Sequence, residues 1–544
     1  MMDLSYSPDW LDGLKWTVIA GFCFSFLLSF GMGANNCANA WGTSVGSGVL
    51  RLWQAYILSS IFDVLGAGLL GYRVTDTIQK GIIEIDVYNV YSLQNETFNT
   101  TYDLVPSCNN TSASQDSSTC SVYTAAEYVM GALSALLATA IWLILASVAK
   151  MPASATQSII GASLGYSLVL RGTQGIKWKM IIDIVVAWFT SPILAGIIAS
   201  IFYLIIKFAV MRRRDPFEAA LKFVPVFFWF TLAVNLFTVF YEGSKYLHFD
   251  KIPWWGALII SNGIGLLVAL LIRFFFTNWM RKRATRLFEE EVARSAESAL
   301  VANRDINTTN KITPAKISII SDAFRSVEEP YATYPDHKFS SPAQDHVEKK
   351  SSKYYLRQFL LPVVENRKAI KVFHILQVLS ACFLSFADGA NNTANSVGPL
   401  LGIYMTYKTG LASGDMTNMA TDTQLIILFG VFSMVIGFWV LGHRVIKTIA
   451  NELTEITASS GFAIELGTAF TVLIASKLGI PISVTDCAIG AIIFVGIARS
   501  SSFSSVSWRT LTNIVLTWII TIPATAGIAA LITYLLVHFY LGTI

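Results

Sequence analysis

Two stretches of the chain, FGMGANNCANAWG at 30–42 and FADGANNTANSVG at 386–398, set amides and a carboxylate among apolar residues. The first holds Asn35, Asn36 and Asn39; the second holds Asp388, Asn391, Asn392 and Asn395. An asparagine offers a carbonyl oxygen to a cation and N–H donors to an anion. Two further stretches place hydroxyls beside a proline: Ser154 and Thr156 after Pro152, and Ser483 and Thr485 after Pro481. Proline breaks a helix, and a helix restarting there begins with unpaired N–H groups at the positive end of its dipole. Such a start is a ready anion site; the structural alternative for these small polar residues is interhelical glue. Asp63 and Glu465 are carboxylates inside apolar runs, where an ionisable group is expensive enough to mark a function by default. The structural alternative is a pairing of either one with Arg73 or Arg444.

The elements that must position these groups are membrane helices. The chain has 544 residues, of which 54% are hydrophobic and 14% charged, and its mean hydropathy is +0.55. Runs such as WTVIAGFCFSFLLSF (16–30) and MIIDIVVAWFTSPILAGIIASIFYLIIKFAV (180–210) approach or exceed the roughly 20 residues that cross a bilayer. The segment before the first run has no basic region, so that run is expected to be retained as a span. The expected class is therefore all-α and polytopic, with the lipid bilayer as partner and no nucleic acid. His374, His443 and His538 are read as packing or interface residues. The four cysteines Cys23, Cys37, Cys382 and Cys487 show no metal-ligand spacing and read as small packing residues. No Ser/His, paired Asp or His/Glu arrangement in the spans suggests an enzyme or a cofactor.

About twelve membrane segments are expected, near 14–33, 52–71, 125–149, 152–170, 180–207, 222–242, 253–277, 371–391, 424–441, 460–478, 481–498 and 510–540. MRRRD (211–215), RKR (281–283), Arg444 and Lys447 are placed inside by the positive-inside bias. Both termini then lie outside, as does the loop 82–124. That loop carries sequons at Asn95, Asn99, Asn109 and Asn110, and two cysteines, Cys108 and Cys120, expected to be disulfide-bonded. The polar, charged stretch 281–371 divides the chain as a partly disordered cytosolic loop between membrane halves 1–280 and 372–544. It includes a further sequon at Asn307, placed in the cytosol.

The halves repeat one another. LGYRVTDTI (70–78) matches LGHRVIKTI (441–449), and LASVAKMPASATQSIIGA (145–162) matches IASKLGIPISVTDCAIGA (474–491), in the same order as the two asparagine stretches. An odd number of crossings separates the copies, so they are expected to be inverted. Inverted repeats that meet at broken helices are the build of a secondary transporter. Gly161 and Gly490, just past the hydroxyls, are expected to allow close backbone approach.

On these residues the chain resembles the inorganic phosphate transporter family, the sodium-phosphate symporters typified by the animal type III transporters and their fungal and bacterial relatives. The family signature is G-A-N-D-V-A-N in each half, followed by P-[VI]-S-x-T-H, and the similarity covers both membrane halves. It implies an inverted-repeat symporter that imports phosphate with sodium by alternating access. Carried onto this chain, it picks out Asn35, Asn36, Asn39, Asn391, Asn392 and Asn395 with Ser154, Thr156, Ser483 and Thr485. Ser154, Thr156, Ser483, Thr485, Asn36 and Asn392 are assigned to phosphate. Asn35, Asn39, Asn391, Asn395, Asp388, Asp486, Asp63 and Glu465 are assigned to the cation, with transported sodium as the only metal.

The chain departs from the family where charge matters. The signature aspartate is Asn36 in one half and Asn392 in the other, and the hairpin histidine is Gln157 or Asp486. Asp388 lies four residues before Asn392, on one helical face, and Asp486 lies in the second hairpin, so the negative charge is expected to have moved. The other readings are proton in place of sodium, another tetrahedral anion, or a non-transporting sensor or scaffold acting through 281–371. Replacing about 295 to 350 by a linker is expected to leave transport intact, and a homodimer is a possible assembly.

Overall fold

The computed structural model describes residues 13–81, 83–88, 125–241, 249–309, 365–410, 412, 420–477 and 482–540. Asn95, Asn99, Asn109, Asn110, Cys108 and Cys120, the break at Pro481 and residues 310–364 of the central stretch lie outside them.

The described residues form helices α1 (Lys15–Gly46), α2 (Leu52–Gly81), α3 (Ala125–Val148), α4 (Ala155–Arg171), α5 (Trp178–Ile206), α6 (Pro216–Phe240) and α7 (Trp254–Leu271). After these come α8 (Thr277–Thr309), α9 (Arg367–Thr409), α10 (Ala420–Glu452), α11 (Ala458–Lys477), α12 (Val484–Ser500) and α13 (Trp508–Tyr540). Their ends follow local chemistry. Asp215 caps α6 by accepting from Phe217 and Glu218 N–H, with Pro216 in the first turn where no donor is needed. Asn366 caps α9 by accepting from Ala369 N–H, and Gly410, at φ 71°, ends it in the left-handed region.

Among the described residues, 10 helical segments are long and apolar enough to cross a membrane. All twelve expected segments are helical. The two outside those 10 are α4 and α12, each of 17 residues, about 25 Å long against roughly 30 Å of hydrocarbon. Each is the second arm of a helical hairpin. At the base of the first, Ile83 bridges Ile176, the Tyr88 and Tyr128 rings lie 5.5 Å apart, and the Arg171 guanidinium sits 4.2 Å from the Tyr88 ring centre. These contacts bring the start of α3 to the end of α4. At the base of the second hairpin, Arg499 at the end of α12 reaches Glu455, just before α11, at 3.3 Å.

The contacts of one half recur in the other with the copies exchanged. Helix α1 packs on α10 as α9 packs on α2, and α4 packs on α13 as α12 packs on α5. Glycine makes the two central crossings possible. A Cβ on Gly33 would lie 1.9 Å from the Met434 carbonyl oxygen, and one on Gly389 would lie 2.4 Å from that of Asp63. The expected approach at the hairpins is also present: a Cβ on Gly161 would meet Ile522 O at 2.8 Å, and one on Gly490 would meet Pro192 O at 2.2 Å.

The stretch from 281 begins as helix, which its charged composition concealed. Helix α8 continues α7 through a π-turn at 272–276 and is tied down at both ends of its first half. Arg281 pairs with Glu218 of α6, while Glu291 pairs with Lys371 and, at 3.9 Å, Arg367 of α9.

Candidate functional site

The hairpin tips meet. Ser154 Oγ donates to Ser483 Oγ at 2.8 Å. Each serine is also the N-cap of its short helix: Ser154 accepts from Gln157 N–H and Ser483 from Asp486 N–H, both at 3.2 Å. The expected helix starts are therefore side by side, 329 positions apart in sequence, with the positive ends of two dipoles converging.

Around that contact the signature helices cross over to the opposite half. Asn39 of α1 donates to Thr485 Oγ1 at 3.0 Å, and Asn395 of α9 donates to Thr156 Oγ1 at 3.2 Å. Gln157 Nε2 donates to Asp486 Oδ2 at 2.9 Å. Asn35 and Asn391 serve the tips themselves. Asn35 donates to Ser147 Oγ at 3.2 Å and Met151 O at 2.9 Å, and its Oδ1 accepts from Ala153 N–H at 2.8 Å. Asn391 reaches Ile482 O at 3.5 Å. Non-helical backbone at membrane depth needs such partners: Asn35 holds the first break, and Asn391 reaches the backbone just before α12. Asn35 Oδ1, assigned from the sequence to a cation, is engaged in that task.

The cluster is buried yet incompletely paired. Among the described residues, no partner reaches Oδ1 of Asn36, Asn39, Asn395, Asp388 and Asp486, Oε1 of Gln157, or Nδ2 of Asn392. A buried polar atom left unmade carries a penalty of about 1–3 kcal/mol, and seven gathered in one region call for a ligand. Six of the seven are oxygens, the donor set of a hard cation. Serine and threonine hydroxyls, the asparagine N–H groups and the two helix starts supply the complementary donors for an anion.

The four carboxylates are not one group. Asp388 lies beside the amides of Asn39 and Asn392, with Asp63 the neighbouring carboxylate. Asp63 accepts from Ser59 at 2.6 Å and Ser385 at 2.8 Å, and Ser385 in turn accepts from Trp41 at 3.2 Å. Glu465 has no exposed surface and accepts from Thr43, Ser44, Gln377 and Ser380. Neither pairs with arginine in the described contacts: Arg444 donates to Val148 O at 3.3 Å, and the Arg73 side chain lies outside the described residues. The ring around Glu465 was missed from the sequence. Its signal was Gln377 and Ser380, two polar residues three apart in an apolar run and so on one helix face.

The family profile of the Phosphate transporter family matches residues 32–529. The sodium-dependent phosphate transporter 1 of Rattus norvegicus is 28% identical over 98% of this chain and 97% of its own length. Sodium-dependent phosphate transporter 2 of Xenopus tropicalis is 30% identical over 95% and 98%. A solved structure titled the sodium-dependent phosphate transporter shares the fold, with a TM-score of 0.67 and 24% identity over 96% of this chain and 99% of that one. A profile spanning both hairpins and both asparagine stretches, with relatives aligned nearly end to end, makes this chain a member of the phosphate transporter family.

Proposed function

We propose that this protein is a secondary active transporter that imports inorganic phosphate with sodium across the plasma membrane by alternating access. The observation that carries the reading is the contact of two N-capped hairpin helices from opposite halves, Ser154 against Ser483, inside a buried ring of unpaired oxygens. In this reading phosphate replaces the Ser154–Ser483 bond and takes hydrogen bonds from Ser154, Thr156, Ser483, Thr485 and Asn392. Asn36, assigned to phosphate from the sequence, has an unpaired Oδ1 that suits a cation and holds sodium with Asn39, Asn395 and Asp388; Glu465 and Asp63 carry cation sites of their own, and Asn35 and Asn391 keep the tips in place. The repeats are inverted in the bilayer. Loop 82–124 is outside, glycosylated at its asparagines and closed by Cys108–Cys120, and both termini are outside with it; the stretch after α7 is cytosolic.

The relatives named as sodium-dependent support the sodium reading. One observation favours a proton instead: Asn36 and Asn392 stand where the family signature has aspartates. Uptake of radiolabelled phosphate into proteoliposomes, with sodium and pH gradients imposed separately, decides between them. Sodium-stimulated uptake at constant pH supports the proposal, uptake driven by a proton gradient without sodium replaces the coupling ion, and no uptake under either gradient removes the transport reading.

A further inference from the structure

The two hairpin helices begin alike but differ in charge at one position near the tip. Each has a serine N-cap and a threonine two residues on, but at the third helical residue one carries the amide of Gln157 and the other the carboxyl of Asp486. Asp486 has no exposed surface. Its Oδ2 accepts from Gln157 Nε2 at 2.9 Å, while its Oδ1 and Gln157 Oε1 have no partner among the described residues. The pairing fixes the amide, since a carboxylate only accepts: the –NH2 must face Asp486, and the oxygen must face away. Two unpaired acceptors are thus left beside the hydroxyls and helix starts that would hold the anion.

We infer that Asp486 Oδ1 is the selectivity element of the anion site, accepting the anion's own O–H, so that the transporter takes protonated tetrahedral oxyanions such as hydrogen phosphate and rejects sulfate. The inference rests on the phosphate reading above and specifies its substrate class. A carboxylate oxygen facing a bare, unprotonated oxygen of an anion is repelled, more strongly in a buried site than in water. If the anion carries a proton, the same contact becomes a charge-assisted O–H···O bond, roughly twice as strong as a neutral one. Inorganic phosphate keeps at least one P–O–H through the neutral and mildly alkaline range, and sulfate keeps none. With Gln157 donating to Oδ2, Oδ1 is the Asp486 oxygen left to accept from a ligand. Gln157 Oε1 is a second acceptor, placed for the second O–H of dihydrogen phosphate.

The test uses the full chain in proteoliposomes at mildly alkaline pH, with competitors against radiolabelled phosphate. In the wild type, sulfate and monofluorophosphate, a phosphorus-centred dianion with no O–H, should compete far more weakly than unlabelled phosphate. In Asp486→Asn the ratio of the sulfate inhibition constant to the phosphate KM should fall by about tenfold or more, because the repulsion is gone and an N–H donor is available. The wild-type comparison stands even if the variant fails to reach the membrane. Competition by monofluorophosphate equal to that by phosphate overturns the inference, as does an unchanged ratio in Asp486→Asn. An Asp486→Asn protein that loses sodium stimulation while still excluding sulfate also overturns it, making Asp486 a cation ligand. A wild type that takes up no phosphate at all defeats the functional reading itself and this inference with it.

Discussion

Ser154 and Ser483 share one hydrogen bond, 2.8 Å long, while each accepts the N–H three residues into its own helix. Two helix caps are thereby welded across the halves of the chain, and a bound anion must compete for the same hydroxyls. Alanine at either position removes a donor from the anion and a cap from the helix, at about 1–3 kcal/mol. Ser154→Ala and Ser483→Ala should each raise the phosphate KM by about tenfold. Because the residues are partners, the double variant should lose less than the sum. Wild-type KM in both single variants would place the anion elsewhere.

Asp388 tests whether charge has moved within the signature. It sits beside Asn39 and Asn392, one helical turn from the position where the family has its aspartate. A cation stripped of water needs a nearby carboxylate, so Asp388→Asn should abolish sodium-stimulated uptake. Aspartate restored at Asn36 and Asn392 in that background should recover part of it. Sodium dependence that survives Asp388→Asn leaves Asp63 and Glu465 as the carriers of the charge.

Glu465 is ringed by three hydroxyls and the Gln377 amide. Glu465→Gln keeps the shape but lowers the negative charge that holds a cation. The sodium activation curve should move about tenfold toward higher sodium, with uptake at saturating sodium largely retained. An unmoved sodium curve would make the ring a structural polar core.

The glycine crossings predict a contrast within one residue type. Gly33→Ala drives a methyl into the Met434 carbonyl at 1.9 Å, whereas a Cβ on Gly527 meets nothing within 4 Å. Gly33→Ala should sharply lower the yield and melting temperature of purified protein, and Gly527→Ala should leave both near wild type. Equal behaviour of the two would mean that the α1–α10 crossing is looser than described.

Residues 310–350 share no motif with the repeats, whereas α8 is tied to α6 and α9 through Arg281 and Glu291. Replacing about 310 to 350 by a flexible linker should leave uptake per surface molecule nearly unchanged. A cut extended back through Glu291 should impair it. Loss of uptake from the shorter deletion would make that stretch part of the transport machinery.

What could be read from the sequence was whatever the membrane makes expensive. Asparagines, hairpin hydroxyls and lone carboxylates stand out against an apolar background, and their recurrence located both hairpins and the groups that meet there. Pairing across the halves was not legible, because the bonds from Asn39 to Thr485 and from Gln157 to Asp486 join residues hundreds of positions apart. The ring around Glu465 combines two polar residues from each of two helices, α1 and α9, none unusual alone. Helix α8 was hidden for the opposite reason: its surface is charged, so no apolar run announced it.

The exchange of partners between the halves has a consequence for biosynthesis. The hairpin formed by α3 and α4 packs against α13, which leaves the ribosome long after both of them. Until about residue 540 has been made, the small residues of α4 that face α13 have no cover, and the polar tip at Ser154 has no Ser483. The newly made first half must therefore wait in the bilayer in an unfinished state, shielded by lipid or by the insertion machinery. Two halves expressed as separate chains should each be unstable alone and recover only when made together.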